Sequence, residues 1–169
     1  VCTNPPYMGS DNMGLKLKDY VTKFYNNVRY DIYAAFMIKC LQMKQQYGYV
    51  AMITQNSYLY ALCFSDLRQV LLRKTSIVNA IHLGPRSFEE ISGEVVQTIA
   101  AIFSKHIEGR KAMFIRLVEY TSNKEQAFWK ESPYVVDFKL FWKLPNYVFA
   151  YSLSHIMMNL YIDKSKIGD

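Results

Sequence analysis

Four residues near the start of the chain, Asn4-Pro5-Pro6-Tyr7, carry groups suited to one chemical problem. An exocyclic amine conjugated to a purine, or the nitrogen of an amide, is a poor nucleophile because its lone pair is delocalised into the π-system. Two acceptors aimed at the amine hydrogens, the Asn4 carboxamide oxygen and the Pro5 backbone carbonyl, favour a pyramidal nitrogen. They also stabilise the positive charge that develops as a group is transferred to it. Proline serves this task because its fixed φ holds the carbonyl direction and brings no competing donor, and Pro6 maintains the turn. Tyr7 supplies a flat face on which an extruded base can stack. A rigid turn after a strand is the structural alternative for the same four residues.

Something must hold this turn in place, and the chain alternates strand and helix signals in the manner of an α/β layer structure. Val1 to Thr3 reads as the end of a strand, since two prolines cannot continue a ladder. From Met8 to Arg29 the chain is polar and reads as a long loop with at most a short helix. Its Lys16, Lys18, Lys23 and Arg29, interleaved with aromatic residues, are candidates for phosphate contact or simply a solvated loop face. Asp31 is placed to cap a helix running to about Gln46, with Gly48 after it. Tyr49 to Thr54 has the length and apolarity of a strand buried on both faces.

Ser65 then reads as the cap of a helix carrying Leu67, Val70, Leu71 and Leu72. Strands are expected at Ile77 to Leu83 and Val95 to Ser104, a pair whose short link suggests antiparallel pairing, and another at Ala112 to Tyr120. Beyond Thr121 the aromatic residues Trp129, Phe138, Trp142 and Tyr147 suggest an irregular segment before a helix from Ser154 to Ile162. Open α/β sheets place their sites at the carboxyl ends of strands, where the tetrapeptide falls. Gln55, Asn56 and Ser57 also follow a strand and could line the site, although loop polarity accounts for them equally.

The 169 residues, 51% of them hydrophobic, suffice for one sizeable core and not for two ordinary domains. A formal charge of +6 permits a polyanionic partner without requiring one. Cys2, Cys40 and Cys63 are odd in number and lack C-x-x-C spacing, which favours a reducing, cytoplasmic setting over a disulfide framework or thiolate metal site. His82, His106 and His155 lack metal-ligand spacing and read as surface or partly packed residues, so no metal is expected. No stretch reaches the roughly 18 apolar residues of a membrane span. The chain opens on Val1 without methionine and runs straight into the tetrapeptide, the start expected of a piece of a longer frame.

The tetrapeptide resembles the catalytic motif of amino-directed methyltransferases that use S-adenosylmethionine. The runs YGYVAMITQNSYLY, FSDLRQVLL, IVNAIHLGPRSFEEISGEVVQTIAAIF and LPNYVFAYSLS resemble the adenine-specific DNA methyltransferases of the BREX phage-defence system, the PglX family. This resemblance covers most of the chain; the tetrapeptide is its most specific part and the last forty or so residues its least. It implies a partial Rossmann-like α/β fold, with later strands of a mostly parallel sheet and one antiparallel strand.

By the same resemblance Asn4 and Pro5 are the acceptors for adenine N6, Pro6 the turn and Tyr7 the stacking partner. Phe88 stands where a second ring against the base would fall, its alternative being a core phenylalanine. Double-stranded DNA and other defence-system subunits are the implied partners. Residues 1–120 are expected to be the catalytic half of the methyltransferase domain. Residues 121–169 would be an irregular or helical extension leading toward a target-recognition region. No G-x-G turn is present for S-adenosylmethionine, so most of its site is expected upstream and the isolated chain is expected to be inactive or nearly so. The motif alone leaves open a protein glutamine or an RNA as substrate, or a non-enzymatic remnant that binds nucleic acid or a partner.

Overall fold

A computed structural model describes residues 1–85, 96–105, 107 and 109–164. The strands are β1 (Cys2–Thr3), β2 (Val50–Gln55), β3 (Thr75–Gly84), β4 (Thr98–Lys105), β5 (Lys111–Arg116) and β6 (Tyr134–Asp137). The helices are α1 (Leu15–Tyr25), α2 (Ile32–Met43), α3 (Ser65–Lys74), α4 (Lys124–Lys130) and α5 (His155–Lys164). One sheet holds all six strands in the order β1-β2-β4-β3-β5-β6. β1 is parallel to β2 and β3 to β5, while β4 lies antiparallel between β2 and β3, as the short β3–β4 link suggests. β1, β2, β3 and β5 therefore end at the same edge of the sheet, and β4 begins there.

Period-two alternation divides the sheet into two rows of opposite character. Met52, Ala101, Ala80 and Phe114 are register partners across four strands and belong to the buried core, as do Val50, Phe103 and Ile77. The core also takes in Tyr33, Ala34 and Met37 of α2 and Leu67, Leu71 and Leu72 of α3. Register partners of the opposite parity, Ala51, Ile102, Asn79 and Met113, with Ile53, Ala100, Ile81 and Ile115, line a trough of about 520 Å³ bordered by Phe128. Among the described residues, the side chains on this face lack the helical cover that α2 and α3 give the other.

Several elements differ from the sequence expectations. The region after Met8 is not a long loop: α1 occupies eleven residues of it. Its Leu17, Val21 and Tyr25 form an i, i+4, i+8 stripe against the core, too narrow to stand out among polar neighbours. Ser65 is the first residue of α3 rather than its cap, and no side chain caps that helix; a 3₁₀ turn at Leu62–Phe64 leads directly into it. α2 ends at Met43, short of Gln46, because Lys44 is extended. The aromatic segment after Thr121 is more regular than its sequence suggests. It forms α4 and β6, then 3₁₀ turns whose Phe138 and Phe141 pack on Phe149 at ring separations of 5.3 and 5.1 Å.

Arg68 fastens this last segment to α3 and to the turn after β2. Its side chain on α3 is fully buried. Nη1 donates to the carbonyls of Tyr58 at 2.9 Å and Ala61 at 2.8 Å, and Nε to that of Asn146 at 2.9 Å. A buried cation without a carboxylate survives only when such dipoles replace its hydration. Arg68→Met keeps an apolar stem but removes three charge-assisted bonds, so urea unfolding is expected to show a loss on the order of 3 kcal/mol. An unchanged midpoint would mean that the strap is held by its aromatic packing alone.

Candidate active site

The tetrapeptide stands at the carboxyl end of β1, and the chain on both sides of it is fixed. Upstream, Val1 N donates to Tyr49 O at 2.8 Å and Ala51 N to Val1 O at 2.8 Å. Downstream, Met8 N donates to the Asp31 carboxylate at 3.1 Å, which also caps α2 through Tyr33 N at 3.1 Å, as expected of Asp31. Ile32 N returns a bond to Met8 O at 3.0 Å. Burial pushes the Asp31 pKa above the usual carboxylate value, against the lowering effect of these backbone donors.

Between those anchors Pro5 is buried, whereas Asn4 is exposed and lines the trough. The Tyr7 hydroxyl lies 3.1 Å from Asn4 Oδ1 and 3.2 Å from the Ile53 carbonyl, so its single proton faces two acceptors. The half-buried Tyr7 ring meets Tyr33 edge to face at 6.3 Å, and the Tyr33 hydroxyl pairs with Ser57 Oγ at 2.9 Å. Burial, with a smaller contribution from Asp31, pushes the Tyr7 pKa up to about 12. The phenol is therefore a donor throughout the range in which the protein would work.

The basic candidates do not lie on a loop, as their sequence suggested, but along and just beyond α1. Lys16, Lys18 and Lys23 are exposed on that helix, with Lys23 Nζ 5.3 Å from the Phe24 ring centre. Arg29 is already engaged, donating to the Asn26 side chain and carbonyl and lying 5.2 Å over Tyr30. Phe88, the expected second stacking ring, lies outside the described residues. Its segment leaves β3 through Gly84 at φ +69, where an added Cβ would stand 2.7 Å from Val118 Cα. Lys124 closes that exit by donating to the carbonyls of Leu83 and Pro85.

A second constellation at this edge was not singled out from sequence. His82, read there as a surface or partly packed residue, is only 4% exposed. Asn56 Nδ2 lies 2.7 Å from His82 Nε2 and donates to Gln97 Oε1 at 3.0 Å, and the Tyr151 hydroxyl lies 2.6 Å from His82 Nδ1. Since an amide nitrogen can only donate, His82 Nε2 must accept, which assigns the proton to Nδ1 and leaves the ring neutral. Arg116 adds a hydrogen bond to Tyr151. These residues join the ends of β2, β3 and β5 and the start of β4. The clue in sequence was a polar residue in phase with Ala80; Tyr151, 69 positions away, gave none.

Burial first, then the charge of Arg116, lowers the His82 pKa to about 4. The unfolded ring, with its ordinary value near 6.5, therefore binds more protons than the folded one between the two values. The contribution of neutral His82 is complete above about pH 6.5 and is lost as pH falls through that window, by roughly 3 kcal/mol in all. Stability measured between pH 7 and pH 4 should fall accordingly, and His82→Gln should flatten the slope. An equally steep slope in that variant would assign the acid sensitivity elsewhere.

Four parallel strands with β4 inserted antiparallel among them and β6 antiparallel at the β5 edge, the Asn-Pro-Pro-Tyr turn standing at the carboxyl end of β1, make a mixed sheet of the partial Rossmann-like α/β kind seen in S-adenosylmethionine-dependent methyltransferases. The chain belongs to the Eco57I restriction-modification methylase family, whose model matches residues 1–88. It is 41% identical over 129 residues to the adenine-specific methyltransferase PglX of Lacticaseibacillus casei (strain Zhang), which bears out the resemblance seen in the residues. That alignment covers 75% of this chain and 11% of PglX, so the chain spans about a tenth of its relative.

Two solved structures share the fold at low identity. DrdV, in a complex with DNA, superposes with a TM-score of 0.61 at 14% identity, over 92% of this chain and 18% of that one. The methyltransferase subunit of a type I restriction-modification system from Streptococcus thermophilus gives 0.56 at 15% identity, over 96% and 37%. Among the described residues no helix is long and apolar enough to cross a membrane.

Proposed function

We propose that the chain is the target-amine side of an adenine-specific DNA methyltransferase, acting on N6 of an adenine turned out of duplex DNA. The observation that carries this reading is the exposed Asn4 carboxamide at the end of β1, bonded to the Tyr7 hydroxyl. Asn4 Oδ1 and the Pro5 carbonyl accept the amine hydrogens and draw the lone pair out of the ring, and Tyr7 offers its face to the base. The adenine-specific activity named for PglX favours adenine over a protein glutamine, and a DNA substrate fits a cytoplasmic setting. Lys16, Lys18 and Lys23 on α1, with Arg29 just beyond it, are the candidates for contact with DNA phosphates.

S-adenosylmethionine would supply an electrophilic methyl group on sulfur. The residues present fit such a donor on one side only: Asn4 borders the free edge of β1, while the chain has no glycine-rich turn to cradle the cofactor. The bulk of that site is assigned to strands upstream of β1 in the longer polypeptide. Handedness supports this. The right-handed β1-α2-β2 crossover puts its helix on one face, and strands added beyond β1 in the reverse direction place theirs on the other. That other face is the apolar trough, whose Ala, Ile and Met side chains gain by being covered. Residues 1–120 then complete a methyltransferase domain begun upstream, and the isolated chain transfers no methyl group. Residues from 121 lead toward target recognition.

Asn4→Ala in the full-length protein should lower single-turnover methylation of duplex DNA on the order of 100-fold. DNA affinity should stay within about threefold of the parent, because the lost acceptor acts chiefly in the transition state. Parallel reactions with RNA and with glutamine peptides should give no product. An undiminished rate in the variant would remove the basis of this assignment.

A further inference from the structure

The Tyr7 hydroxyl has a place in the site that stacking does not explain. A phenylalanine would offer the same flat face, yet here the phenol oxygen lies 3.1 Å from Asn4 Oδ1 and 3.2 Å from the Ile53 carbonyl. Ile53 O is a backbone acceptor on β2, in the strand register that pairs Ile53 with Ala100. The hydroxyl thus links three things: the ring that would receive the base, the amide that would receive its amine, and a rigid strand of the sheet.

Asn4 needs such a link. Its side chain is exposed, and a carboxamide free to rotate presents either its oxygen or its NH2 group to the cleft. Presenting the NH2 group would set donor against donor at the target amine. Building on the reading above, we propose that the Tyr7 hydroxyl is a positioning group that holds the Asn4 carboxamide by its oxygen, fixing the amine acceptor and the stacking ring as one unit. One lone pair of Oδ1 takes the phenol proton and the second remains for the target amine. The Ile53 carbonyl, 3.2 Å from the same oxygen, keeps the phenol at the β2 strand end while its proton is shared with Oδ1. With a pKa of about 12 the phenol keeps its proton across the working range, and the device needs no titration.

The test is a double-mutant cycle in the full-length methyltransferase with duplex DNA carrying either adenine or 2-aminopurine at the target. Tyr7→Phe should lower the single-turnover methylation rate about tenfold, the loss equivalent to one hydrogen bond, and leave the 2-aminopurine fluorescence change at its parental size. In an Asn4→Ala background the same substitution should have no further effect, because its target is gone. A parental rate in Tyr7→Phe, a tenfold loss that persists in the Asn4→Ala background, or a loss of the fluorescence change would each overturn the proposal. If Asn4→Ala alone methylates at the parental rate, the function assigned above fails first, and this cycle reports that separately.

Discussion

One buried carboxylate governs the geometry around the tetrapeptide. Asp31 caps α2 and holds Met8 N with the same oxygen, so the helix start and the downstream flank of Tyr7 are a single fixture. The backbone bonds Ile32 N to Met8 O and Ser10 N to Tyr30 O close the same junction from both sides. The chain from Ser10 to Tyr30, α1 included, is in effect an excursion that returns to its starting point. Its surface can therefore vary in charge and shape while the tetrapeptide keeps its position. The cost is a carboxylate buried beyond its comfort, visible in its raised pKa, and the backbone donors offset part of that cost.

The second constraint is topological. Inserting β4 antiparallel between β2 and β3 brings the start of one strand to the edge where four others end. Polar groups thereby meet where Asn56, His82 and Tyr151 are buried and Gln97 reaches the surface, and the buried ones must find partners. Asn56, His82, Gln97 and Tyr151 do so as a chain of hydrogen bonds that Arg116 extends at Tyr151, with the imidazole kept neutral by burial. Such a network fixes the spacing of strand ends more stringently than apolar packing, because each hydrogen bond tolerates only a narrow range of distance. The stack of Phe114 on Tyr151 at 4.4 Å carries that rigidity into β5.

The two faces of the sheet differ in a way that fits a tenth-length match to PglX. One is sealed by α2, α3 and the strap, with the Arg68 cation held by three backbone carbonyl bonds at the seam. The other presents Ala, Ile and Met side chains in a trough that reaches Asn4. Folding of the described residues relies on the sealed face, and under the proposed function formation of a complete site relies on what covers the trough.

Much of this was legible in the residues. The tetrapeptide, the cap at Asp31, the strand at 50–55 and the antiparallel pair β3–β4 each announce themselves locally, through a turn residue, a short side-chain acceptor, an apolar run or a link too short for a crossover. These signals depend on neighbours within a few positions, which is the range over which backbone sterics and capping act. What only the tertiary structure decided depends on contacts between distant segments: α1, carried by a three-residue stripe meaningful only against a core; the burial of His82; the ordering of the aromatic strap. The same holds for the bond from the Tyr7 hydroxyl to Ile53, 46 residues along the chain. Sequence specifies which groups can donate and accept; folding decides which of them lose water and must therefore find each other.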